Sequence, residues 1–103
     1  MKIAIAATNK DKNSDISPMG ARAPFYLIFN EKGDFLETLS NPFAIGGGGA
    51  GFAVAKMLAD KKVNMVIASA FGPNMITALK ERDLQHSEMN GNAKEAISKI
   101  ASK

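Results

Sequence analysis

The chain has 103 residues, 46% hydrophobic and 22% charged, which fits one domain and excludes intrinsic disorder. It has no cysteine and one histidine, His86, which removes disulfides, thiolate metal sites and thiol catalysis and leaves a multi-histidine metalloenzyme poorly supplied. Thirteen Lys and Arg against ten Asp and Glu give a formal charge of +3, with only Arg22 and Arg82 as arginines; nucleic-acid readout lacks its basic stripe, whereas a small anionic ligand suits the balance.

Ile3-Ala4-Ile5-Ala6-Ala7 is apolar on both faces, so residues 2–7 predict a central strand. The run is too short for a signal segment, and no apolar stretch nears the ~18 residues of a membrane span, so the expectation is a cytoplasmic protein. Thr8 to Pro24 has no periodicity and exceeds the ~12–15 residues beyond which loops are usually functional. Phe25–Phe29 and Phe35–Leu39 predict a hairpin closed by Glu31-Lys32-Gly33-Asp34, with Gly33 at the positive-φ position, and Asn41-Pro42 ends it.

Gly46 to Gly51 is a glycine cluster, followed by a helix over Phe52–Asp60 that is apolar nearly all round except Lys56 and is expected to be heavily buried. Val63–Ala68 predicts a fourth strand. Gly72-Pro73 opens a second helix, since proline at the first turn leaves no N–H unpaired. Leu84–Ser87 predicts a short fifth strand. Ala93, Ala96, Ile97, Ile100 and Ala101 make one apolar stripe on a third helix, with Asn92 and Glu95 spaced as a capping box. Two strand–helix–strand crossovers and one hairpin predict a mixed α/β sheet with the first strand central and the second antiparallel.

Ligands of such sheets bind beyond the carboxyl strand ends. Thr8, Asn9, Arg22, Gly48, Gly49, Gly51, Ser69, Gly72, Asn74, Asn90 and Gly91 are expected to gather there. Three helix starts would then face one region, each with unpaired N–H groups and about half a positive charge. Gly46-x-Gly48-x-x-Gly51 fits a dinucleotide fingerprint literally, but it follows the third strand and no acid stands where a ribose would need one. A phosphate loop is excluded because no Gly-Lys-Ser/Thr follows. The glycines serve equally as a flexible loop with close helix–sheet packing. Two-metal nuclease chemistry needs clustered carboxylates, and the first strand carries none.

Ser17-Pro18-Met19-Gly20-Ala21-Arg22-Ala23-Pro24-Phe25-Tyr26, then Asn41-Pro42, Gly48-Gly49-Ala50-Gly51 and Gly72-Pro73-Asn74 occur in this order along nearly the whole chain. Together they resemble the dinitrogenase iron–molybdenum cofactor biosynthesis family, over a single domain spanning residues 1–103. The resemblance implies a three-layer α/β/α, ribonuclease H-like fold with five strands, the second antiparallel. It also implies binding of an iron–sulfur or iron–molybdenum cluster, or a precursor, and a protein partner in its delivery. The family commonly has His-Phe-Gly-Arg before Ala-Pro; here Met19-Gly20-Ala21-Arg22 stands there, with Met19 in the histidine's place and Arg22 retained.

Arg22 suits an anion clamp, or a cap on the sheet edge through Asp15 or a carbonyl. Met19 offers a soft thioether to a metal, or packing. His86 offers an imidazole ligand, or a structural place on an edge strand. Ser69 and Asn74 suit hydrogen bonds to a ligand or simple capping. The leading expectation is a non-catalytic carrier of an anionic ligand such as a metal cluster. The alternatives are a small phosphate- or nucleotide-binding protein, and a protein–protein interaction module without ligand.

Overall fold

The computed structural model describes residues 1–45 and 49–101. Its elements are β1 (Lys2–Ala7), β2 (Phe25–Asn30), β3 (Phe35–Ser40), α1 (Ala50–Asp60), β4 (Met65–Ala68), α2 (Pro73–Glu81), β5 (Gln85–Glu88) and α3 (Ala93–Ala101). The strands form one sheet in the order β3-β2-β1-β4-β5. β2 runs antiparallel to both β1 and β3, whereas β1, β4 and β5 are parallel, so β2 alone is reversed. No helix among the described residues is long and apolar enough to cross a membrane.

β1 is central, and its residues Ile3 to Ala7 are fully buried. Strand alternation assigns its two faces different jobs. Ala4 and Ala6 join Tyr26, Ile28, Val66 and Ala68 beneath α1 and α2, packed against Val54, Leu58, Met75 and Leu79. Ile3, Ile5 and Ala7 join Leu27, Phe29 and Ile67 beneath α3, packed against Ala93, Ala96 and Ile97. The result is three layers, α1 and α2 on one face and α3 on the other. Each large aliphatic side chain so buried contributes about 1.5–3 kcal/mol.

Two local expectations change. α1 begins at Ala50, so Gly51 lies inside its first turn. The helix is also not apolar-buried all round: it buries Ala50, Gly51, Val54, Ala55 and Leu58, whereas Phe52 is 45% exposed. The reason is its place in an outer layer, where only one face meets the sheet.

The long segment after β1 is ordered by its own hydrogen bonds. Ile16 returns to pair with Ala7, and Asp15 pairs with Asn92. The Ser17 N–H donates to the Ala6 carbonyl (2.8 Å), the Ser69 N–H to the Ser17 carbonyl (3.1 Å) and the Gly20 N–H to the Ala70 carbonyl (3.0 Å). Residues 14–20 therefore cross the carboxyl ends of β1 and β4 as a belt.

Candidate functional site

That belt divides the carboxyl edge of the sheet. On the α1/α2 side, Met19, Arg22, Gly49, Gly51, Gly72 and Asn74 line a cleft of about 210 Å³ whose remaining wall includes Met75. Arg22 is exposed and Met19 is 40% exposed. α1 and α2 start side by side there. A Cβ on Gly51 would lie 2.9 Å from the Met75 nitrogen and 3.0 Å from its Cβ, so only glycine permits this approach.

The two helix starts share an electrostatic character. Gly49 precedes α1 at φ +87° and Gly72 precedes α2; neither helix has a side-chain cap or an acidic residue in its first turn. First-turn N–H groups lack partners within their own helix, and each start carries about half a positive charge. Both starts and Arg22 thus bias the cleft towards anions.

α3 does not join them, which corrects the expectation of three converging helix starts. It packs on the opposite face of the sheet, and the chain caps it. The Ala93 N–H donates to the Ser14 carbonyl (2.8 Å) and the Glu95 N–H to the Asn92 side-chain oxygen (2.8 Å). The capping box is varied: the Glu95 carboxylate accepts from the Asn92 side-chain amide (2.9 Å) instead of its backbone N–H. Glu95 also places a negative charge in the first turn.

Other predicted site residues also fall outside the cleft. Thr8 and Asn9 donate their N–H groups to the buried Ser14 hydroxyl (3.1 Å each) and sit on the far side of the belt. Asn90 is exposed in the β5–α3 connection, and the Gly91 carbonyl accepts from the Ile16 N–H (2.9 Å). The Ser69 hydroxyl donates to the Met89 carbonyl (3.3 Å) and caps no helix. His86 lies half-buried on β5 with its ring edge-on to Phe71, centroids 5.2 Å apart; it does not meet Met19 in the cleft. Gly48, with Gly46 of the literal fingerprint, lies outside the described residues.

Two residues not singled out as site residues hold the Arg22 loop. The buried Tyr26 hydroxyl donates to the Gly20 carbonyl, and burial pushes its phenol far above the ordinary tyrosine range. The Asn41 side-chain amide donates to the carbonyls of Ala21 (3.1 Å) and Ala23 (2.8 Å), while its oxygen accepts from the Phe43 N–H (3.0 Å). Tyr26 was visible as the one polar-tipped side chain within the apolar second strand, and buried tyrosine hydroxyls usually find a partner.

A larger groove of about 380 Å³ lies between the β2–β3 turn and α3, lined in part by Lys12, Asp34, Phe35 and Lys94. It mixes both charge signs, and the helix it meets, α3, has its start capped by Asn92. Among the described residues, no three His, Asp or Glu side chains are grouped to hold a metal ion.

Fold and cleft define a three-layer α/β domain with two uncapped helix starts and an arginine at one sheet edge. The chain belongs to the dinitrogenase iron–molybdenum cofactor family, whose sequence model matches residues 1–103. Among similar solved structures is a NifB-like protein of the DUF35 family from Thermotoga, 31% identical, with 98% of this chain and 87% of that chain covered and a TM-score of 0.82. The apo form of the orange protein from Desulfovibrio gigas is 19% identical, with 98% and 87% covered and a TM-score of 0.90. A dinitrogenase-like protein from Methanocaldococcus jannaschii is 16% identical, with 99% and 88% covered and a TM-score of 0.69. The last two share the fold. No curated protein matches the chain.

Proposed function

We propose that the protein is a non-catalytic carrier that holds an anionic metal cluster, iron–sulfur or iron–molybdenum, or its precursor, in the cleft between α1 and α2. One observation carries this reading: two helices start side by side beside Arg22, with neither a side-chain cap nor an acid to neutralise them. Family membership supplies the chemical class of the cargo.

The donors in the cleft fit release better than permanent ligation. The chain has no thiolate to offer, and Met19 provides a weak, uncharged thioether. The cargo is then held by the Arg22 guanidinium and backbone N–H groups, which exchange readily with a protein partner that accepts it. The cleft of about 210 Å³ also suits a compact inorganic anion better than a nucleotide, since organic ligands of that size occupy roughly 300–1,000 Å³.

The test is anaerobic incubation of the protein with molybdate or an iron–sulfur donor, followed by measurement of retained metal. Retention that weakens markedly in Arg22→Gln is the expected result. No retention by the unaltered protein, or equal retention by the variant, removes the reading. A response to nucleotides alone in a thermal-shift panel replaces it with the phosphate-binding alternative.

A further inference from the structure

We infer that Asn41 is the positioning residue of the cleft: its single side-chain amide holds the loop that carries Arg22 against the end of the hairpin. The inference rests on the carrier reading for its ligand but on hydrogen bonds alone for its geometry. Asn41 follows β3 and is only 7% exposed. Its amide nitrogen donates to the carbonyls of Ala21 and Ala23, the residues on either side of Arg22.

Those bonds fix the peptide plane that enters Arg22 and the one between Ala23 and Pro24, so the loop is pinned on both sides of the arginine. The other end of the same side chain accepts from the Phe43 N–H, in the segment that leads towards α1. The Asn41 N–H also donates to the Pro24 carbonyl (2.9 Å). One planar amide therefore ties the Arg22 wall of the cleft to the end of the hairpin. Neither aspartate nor alanine can do this: aspartate has no donor to give two carbonyls, and alanine has no polar group.

The experiment is a double-mutant cycle with molybdate as the probe, using Asn41→Asp, Arg22→Gln and the double variant in equilibrium dialysis. Asn41→Asp is expected to weaken molybdate binding about tenfold, the effect of one to two lost hydrogen bonds to a buried group. The double variant is expected to bind no worse than Arg22→Gln alone, because Asn41 acts through Arg22. Losses that add fully would overturn the inference. Amide exchange on the unaltered protein guards against a variant that does not fold. The Asn41 side-chain amide protons are expected to exchange at least about tenfold slower than those of exposed Asn74, and equal rates would overturn the inference. If the unaltered protein binds no molybdate while those protons stay protected, the carrier reading falls and the hold of Asn41 on the Arg22 loop stands.

Discussion

The Tyr26 hydroxyl reaches out of the core beneath α1 and α2 to donate to the Gly20 carbonyl. Strand β2 thereby anchors the loop that carries Arg22. Gly20 is itself wedged: a Cβ there would lie 3.0 Å from the Phe71 ring and 3.1 Å from the Met75 sulfur. Tyr26→Phe leaves the buried Gly20 carbonyl only the 3.4 Å bond from the Ala23 N–H. We expect it to lower stability by about 1 kcal/mol in urea unfolding, with little change in volume packed.

The same burial sets an alkaline limit. Tyr26 holds its proton more tightly when folded than in the unfolded chain, where the phenol ionises near pH 10. Below that pH the stabilisation is complete. Above it the unfolded state binds fewer protons than the native state, so stability falls as pH rises. Tyr26 is the only tyrosine and the chain has no tryptophan, so phenolate absorbance follows this one group. We expect that absorbance to appear together with unfolding, and Tyr26→Phe to lose this part of the alkaline sensitivity.

Three cleft glycines should respond differently to alanine. Gly51→Ala drives a methyl group into the Met75 backbone and must push α2 from α1. Gly49→Ala has open space but adopts φ +87°, a strain of about 1–2 kcal/mol. Gly72→Ala has open space and an ordinary φ of −72°. Thermal unfolding should rank them Gly51→Ala most damaging, Gly49→Ala intermediate and Gly72→Ala near neutral.

Asn92 provides a control on the opposite face. Asn92→Ala removes the cap that receives the Glu95 N–H and should cost about 1 kcal/mol of stability. Because α3 shares no wall with the cleft, molybdate retention by the folded variant should match that of the unaltered protein. A parallel loss of retention would show the two faces to be coupled.

Charge should govern capture. Arg22 is exposed, and ionic contacts at the surface are screened within about 8–10 Å at ordinary ionic strength. Molybdate affinity should fall between low and high salt, and Arg22→Gln should flatten that dependence. Dialysis across a salt series measures both.

The architecture was legible because each strand declared its surroundings. The unbroken apolar run of β1 marked it as central, and Pro73 and the Asn92–Glu95 pair marked two helix starts. The site was half legible. Strand order places every helix start at one sheet edge, but which face each helix covers depends on crossover geometry that residue types do not state. Nor does a polar loop announce that Ile16 will return to Ala7, although one buried aliphatic among Ser14, Asp15 and Ser17 was a usable sign. The Asn41 bonds were hidden because they join backbone groups about twenty residues away, which no local pattern encodes.

The belt of residues 14–20 works as a party wall. Its Ser17 and Gly20 amides and Ser17 carbonyl bond to the strand ends, and its Ile16 amide to the Gly91 carbonyl. Neither compartment can widen without straining the masonry of the other. Two side chains are mortared into it as well, the Ser14 hydroxyl that receives the Thr8 and Asn9 amides and the Ile16 side chain buried beneath α3, so refurnishing the partition itself disturbs the room behind it.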